Sequence, residues 1–165
     1  MSGALAAFPA APLDRTARLV TRGVWLLAVA LGLAGVSLLI GGSVPVGPVL
    51  LAAGVLDAAL IWHLGRLRPV EYVLEDGGLS VLREHASPKR FTGAATGARP
   101  GRLGMRVAGD GGGYGYLGRY RADGRTVHAF VTDRTRVVLL DIGATPLAIS
   151  PADPETFLAE VARAA

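Results

Sequence analysis

Residues 23–56 form a run of 34 without a single Asp, Glu, Lys, Arg or His. At about 1.5 Å rise per residue, one straight helix of that length would measure roughly 51 Å, against a bilayer hydrocarbon core of about 30 Å. The run must therefore fold back on itself. Gly41-Gly42-Ser43-Val44-Pro45-Val46-Gly47-Pro48 marks the place, because glycine and proline favour a turn over a helix interior. The expectation is a two-helix transmembrane hairpin within residues 17–67, with helices over 21–40 and 46–64. Trp25 and Trp62 fall at matching levels as interfacial anchors. Ala28, Gly32 and Gly35 on the first helix, with Ala53, Gly54 and Ala58 on the second, are small residues that let membrane helices pack closely.

Charge sets the orientation. Arg15, Arg18 and Arg22 precede the first span, Arg66 and Arg68 follow the second, and the turn between carries no charge. By the positive-inside rule this is a multi-pass protein of the cell (inner) membrane with both termini cytoplasmic. A cleaved signal peptide fits less well, since the apolar run starts past residue 20, no small-x-small cleavage site precedes the turn, and a second span follows. Residues 1–16 are Ala- and Pro-rich without periodicity and read as a disordered tail. One ionisable group, Asp57, stands inside the second span, where burial in lipid is costly unless the acid is protonated or paired. A neutral, hydrogen-bonded carboxylic acid is the structural reading of Asp57, and a proton or ion relay is the functional one.

After Arg68-Pro69 the apolar period changes from helical to alternating. Val70 to Leu74 and Gly78 to Arg83 flank Glu75-Asp76-Gly77, a hairpin built on an Asp-Gly turn. A third strand begins at Lys89-Arg90-Phe91. Residues 92–103, rich in Gly, Ala and Pro, carry no period that assigns them. Further strands are expected at 116–121, 126–132, 136–141 and 146–150, the first two joined by Asp123-Gly124. Ser150-Pro151-Ala152-Asp153-Pro154-Glu155 then starts a helix with Ser150 as the apparent cap, and Phe157, Leu158, Val161 and Ala162 give that helix one apolar stripe. The count is seven strands followed by one amphipathic helix.

The run Gly111-Gly112-Gly113-Tyr114-Gly115-Tyr116-Leu117-Gly118-Arg119-Tyr120, the strand end Phe130-Val131-Thr132-Asp133, Arg136-Val137-Val138-Leu139-Leu140, and Ile149-Ser150-Pro151-Ala152-Asp153-Pro154-Glu155-Thr156-Phe157 together resemble the bacterial PH-domain membrane family. The resemblance implies a mainly β, PH-like (pleckstrin-homology-like) domain over residues 70–165. Its expected form is a seven-stranded bent antiparallel sandwich or partly open barrel with a C-terminal capping helix, joined to a short pair of transmembrane helices. It supplies a fold more than a function.

Chemistry is scarce in this composition. Without cysteine there is neither a disulfide framework nor a thiolate site, and the absence of Asn and Gln removes side-chain amides. Gly113-Tyr114-Gly115-Tyr116-Leu117-Gly118 matches the letters of a dinucleotide fingerprint, yet an Asp-Gly hairpin follows it where that motif must open a helix. Ser150, His128 and Asp133 supply the letters of a hydrolase triad, but Ser150 lacks the flanking glycines of a nucleophile elbow. His63, His85 and His128 lack metal-ligand spacing. The reading is non-enzymatic, with no catalytic, cofactor or metal residues and no cofactor.

What remains is basic: 17 Lys+Arg against 13 Asp+Glu give a net charge of +4. Lys89, Arg90, Arg99, Arg102, Arg106 and Arg119, with Tyr114 and Tyr116, are the candidate lipid or partner contacts. Nucleic acid is not expected, since the segment lacks an aromatic platform apart from those two tyrosines. The chain therefore reads as a membrane-anchored binding or assembly module whose partner is an unknown protein. The alternative is a sensor of anionic lipid headgroups, and a small transporter component comes third on Asp57 alone.

Overall fold

The computed structural model of the chain describes residues 4–42 and 45–164. Residues 1–3 of the expected tail, 43 and 44 of the expected turn and 165 of the expected domain lie outside that set. Two helices, α1 (Arg15–Ile40) and α2 (Gly47–Arg66), are long and apolar enough to cross a membrane. They pack back to back through their small residues: a Cβ on Gly35 would lie 2.6 Å from the Leu51 amide nitrogen, and one on Gly54 only 2.8 Å from the Ala28 carbonyl oxygen. Gly47 adds a third close approach, 3.0 Å from the Gly35 carbonyl oxygen by the same measure. Only glycine lets the two backbones come this near. Asp57 is partly buried on α2, with no hydrogen bond or ion pair among the described residues.

The first correction concerns the N-terminus. Its described part is a strand, β1 (Ala4–Pro9), antiparallel to β2 (Pro69–Glu75) with Phe8 opposite Tyr72. Phe8 is buried, and its ring meets Phe157 edge-on at 5.0 Å between centroids. Pairing and one aromatic anchor make this strand, against a local composition with little β preference. The β domain is thus assembled from both sides of the helical hairpin, and the boundary expected at residue 70 leaves out one of its strands.

The second correction is the strand count, ten among the described residues in place of seven. A four-stranded sheet runs β1-β2-β3-β4, with β3 at Gly78–Arg83 and β4 at Lys89–Thr92. A six-stranded sheet runs β5-β9-β10-β8-β7-β6, comprising β5 (Ala95–Pro100), β6 (Arg106–Gly111), β7 (Tyr116–Ala122), β8 (Arg125–Val131), β9 (Val138–Ile142) and β10 (Thr145–Ile149). All seven expected strands are present, and β1, β5 and β6 are additions. Pairing is antiparallel except between β8 and β10. The sheet is bent: β5 and β6 stand at its opposite edges, about 24 Å apart if flat. Residues 101–105 alone join them, and the six steps from Pro100 to Arg106 reach at most about 21 Å.

Strands β9 and β10 form the wall between two cores. Val138, Leu140, Ile142, Leu147 and Ile149 face one core, with Tyr72, Leu79, Val81 and the Phe157–Val161 stripe of α3 (Pro154–Ala164). Leu139 and Ala148 face the other, with Tyr116, Tyr120, Val127, Val131 and Leu103. Burial on both faces is what their nearly unbroken apolar sequences dictate. The α3 cap is Asp153, whose Oδ1 accepts from the Thr156 amide at 3.1 Å. Ser150, the expected cap, is fully buried and its Oγ accepts instead from the Thr132 amide at 2.8 Å.

Candidate functional site

The glycine-rich segment between β6 and β7 is one part of the β domain that meets the helices. The Asp123-Gly124 hairpin that follows β7 has φ of 47° and 77°, the tight two-residue turn expected of that dipeptide. The β6–β7 end is different: Gly112 donates to the Gly115 carbonyl at 2.9 Å, and Gly113 donates to Asp110 Oδ1 at 3.3 Å. This holds the loop flat against the hairpin. A Cβ on Gly112 would sit 3.5 Å from Val20 of α1, and one on Gly113 3.3 Å from Ile61 of α2.

Tyr114 is the wedge. Its amide donates to Thr21 Oγ1 at 3.1 Å, its hydroxyl accepts from Trp25 Nε1 at 3.2 Å, and its ring lies against Gly65, where a Cβ would fall 3.1 Å away. To reach this position Tyr114 adopts φ of 60°, a left-handed conformation that a side chain this size rarely takes and that costs about 1–3 kcal/mol. The contacts with α1 and α2 offset that strain.

A second clamp sits at the start of α1. Asp14 Oδ1 caps the helix by accepting from the Ala17 amide at 2.7 Å and also accepts from the Tyr116 hydroxyl at 3.4 Å, while Oδ2 accepts from the Arg134 amide at 3.3 Å. The Asp14 amide donates to the Thr132 carbonyl at 3.1 Å, and Thr132 Oγ1 donates to the Ala11 carbonyl at 2.6 Å. Burial, reinforced by the Asp14 carboxylate, pushes the Tyr116 phenol up to about 12. Tyr116 thus stays a hydrogen-bond donor across the physiological range. Arg134 covers the same ring at 5.1 Å and donates to the Leu103 carbonyl at 2.7 Å.

Two cavities open beside this junction. One, of about 390 Å³, is lined by Arg106, Arg134, Tyr116 and Tyr120 with Gly104, Met105 and Gly111. The other, of about 530 Å³, is mainly apolar and lies between Leu60 and Leu64 of α2, with its C-cap residue Leu67, and the β6–β7 pair. Arg106 lines both. Asp110 stands on the apolar side with Oδ2 buried and without a hydrogen-bond partner among the described residues. Burial raises its carboxyl above the ordinary range, against the Gly113 and Gly111 amides and the Arg106 charge, which pull it down.

Residues 97–165, from within β5 through α3, match the family described as the bacterial PH domain. The chain carries a bacterial PH-like domain. Domains of this fold serve generally as binding modules rather than catalysts. Comparison with curated proteins and with solved structures returned no match.

The PH-like domain divides the expected contact residues. Lys89 and Arg90 are exposed on β4, at the edge of the four-stranded sheet, and Arg99 on β5 is ion-paired with Asp123 at 2.9 Å. Arg102 is exposed in the 101–105 connection. Arg106 and Arg119 are exposed on the other side of the domain, on the β6–β7 pair, without an ion pair among the described residues. Of the two expected tyrosines, Tyr116 is buried and Tyr114 is half-buried against the helices. The fingerprint letters of residues 113–118 span a loop entering a strand; of the triad letters, Ser150 is buried and its Oγ accepts from the Asp133 amide at 3.3 Å, while His128 is exposed on β8. Asp14, Arg134 and the Leu60/Leu64/Leu67 stripe went unrecognised as site residues. Asp14 had a legible signal, an acid immediately before a helix, while Arg134 had none.

Proposed function

We propose that this chain is a membrane-anchored, non-catalytic binding module. The helical hairpin crosses the inner membrane twice and holds the PH-like domain against the anionic cytoplasmic leaflet. The observation that carries this reading is the junction between hairpin and domain. Strand β1 precedes the hairpin and the rest of the domain follows it, so both helix ends belong on one side, which suits two crossings. Among the large apolar side chains of the hairpin, Leu26, Leu33, Ile40, Leu56, Leu60 and Trp62 are each more than half exposed. At about 1.5–3 kcal/mol each, leaving them in water would forfeit roughly 9–18 kcal/mol, as much as the ~5–15 kcal/mol net stability of a folded domain.

Arg15, Arg18, Arg22 and Arg66 are exposed around the hairpin base, on the side where Tyr114 docks. Each can add about 1 kcal/mol of attraction to an anionic leaflet. The lipid-facing reading is favoured over protein assembly because the two tyrosines suited to a protein contact are used inside the molecule. The transporter reading has little support, since Asp57 is the one ionisable residue between Gly23 and Trp62.

The two tryptophans, Trp25 and Trp62, are native probes of this arrangement. In the full chain reconstituted into vesicles, brominated lipids labelled near the headgroup should quench their fluorescence more than lipids labelled at the chain ends. Brominated phosphatidylglycerol should quench more than brominated phosphatidylcholine at equal fraction. Absence of quenching would overturn the anchoring, and equal quenching by both lipids would overturn the anionic preference.

A further inference from the structure

Resting on the anchored reading above, the geometry points to a site for one anionic phospholipid at the α2/β6–β7 junction, its acyl chain in the apolar groove and its phosphate between Arg106 and Arg134. Three observations converge on this occupant. Leu60, Leu64 and Leu67 recur at i, i+4 and i+7 and so form one stripe along α2 and its C-cap, and Leu60 is itself 58% exposed, which makes the groove continuous with the helix surface that lipid would cover. The groove volume of about 530 Å³ is within the range of ligand-sized cavities, and its second wall carries Leu117 of β7.

The polar half is built from different elements and meets the groove at a single side chain. Arg106 donates to the Gly109 carbonyl at 3.2 Å and has no ion pair among the described residues, and Arg134 likewise spends its donors on the Leu103 and Gly104 carbonyls. Neither guanidinium group is ion-paired among the described residues, and both line a cavity whose two phenols already donate elsewhere, Tyr116 to Asp14 and Tyr120 to the Asp110 carbonyl. Such a cavity favours an acceptor-rich anion. Arg119 stands two residues beyond Leu117 on β7, on the same face of that strand, and adds to the positive field. The orphaned Asp110 Oδ2 lies on the groove side of Arg106, where a hydroxyl of a glycerol headgroup can donate to it. The ligand is therefore amphipathic and anionic, with hydroxyls near its phosphate.

Native mass spectrometry of the full chain, released from vesicles of equal phosphatidylglycerol and phosphatidylcholine, tests this directly. One phosphatidylglycerol should remain per chain. Its occupancy should fall roughly tenfold or more in Arg106→Gln, which removes a charged donor, and in Leu64→Trp, which fills the groove. The double variant Lys89→Gln/Arg90→Gln, at the other sheet, should retain it unchanged. Equal retention of phosphatidylcholine, a retained fatty acid or detergent instead, or phosphatidylglycerol retention unaltered in Arg106→Gln would each overturn the site. Arg106 is exposed, so its variant does not depend on core packing if Leu64→Trp fails to fold. The tryptophan quenching of Arg106→Gln separates the two readings, because selective quenching by brominated phosphatidylglycerol persists there if only the groove proposal is wrong.

Discussion

Asp110 is a carboxylate held in place by neighbours that do not fully satisfy it, and that imbalance is testable by pH. Its folded-state pKa is raised, chiefly by burial, above the ordinary 3.8. The folded chain therefore binds this proton more readily than the unfolded one, and the group costs stability when ionised. The cost is fully present above the raised folded pKa and disappears as pH falls through it to below 3.8. Asp110→Asn, which keeps an oxygen for the Gly113 amide, should be more stable than the parent at neutral pH. That advantage should vanish on acidification toward pH 3.8, as read from thermal unfolding in detergent across pH. An advantage independent of pH would contradict the account. The composition around Asp110 made the glycine loop conspicuous in the sequence, but not its direction. Whether Tyr114 faces solvent or wedges beside Gly65 depends on a helix end some fifty residues earlier in the chain, which no local pattern encodes.

Among the elements, β1 departs furthest from its local sequence. Ala4–Pro9 carries one large apolar side chain that is buried, and its strand conformation comes from the ladder with β2. Phe8→Ala should therefore cost about 3–5 kcal/mol, the usual range for a buried phenylalanine, and should loosen α3 by removing the partner of Phe157. Hydrogen exchange of the α3 amides would read the second effect; unchanged protection there would separate Phe8 from the helix. Of the seven strands that were legible, β2, β3, β8, β9 and β10 have two-residue periodicity or a continuous apolar run bounded by turns. Strands β5 and β6 were not, because they are the sheet edges and are made largely of Gly, Ala and Arg. Their pairing is set by the neighbouring strand and by the curl that brings Leu103 into the second core.

For the whole molecule, the hairpin is an insertion between the first and second strands of a domain, so on the anchored reading proposed above both of its ends lie on one side of the membrane. The chain has no cysteine, so single cysteines report cleanly. In intact cells, an impermeant maleimide should label Pro45→Cys in the turn and should reach Leu5→Cys and Arg163→Cys only after permeabilisation. Labelling of Leu5→Cys and Arg163→Cys in intact cells would reverse the orientation. The two helices and the break between them were legible because helix length and hydropathy are matters of local composition. The closure of the domain across them was not, because it depends on a contact between residues that the hairpin separates. That separation has a consequence in time. Phe8 is opposite Tyr72, so β1 leaves the ribosome some sixty residues before its partner exists, a wait of roughly 3–12 s at ~5–20 residues per second. On the anchored reading proposed above, both apolar helices are threaded and returned during that interval. A chain that crossed the bilayer once would strand β1 and β2 on opposite sides, leaving the slot beside Phe157 empty and the sheet edge open to proteolysis. On the anchored reading, closure of the sheet therefore reports that the second helix has returned to the side of the first strand.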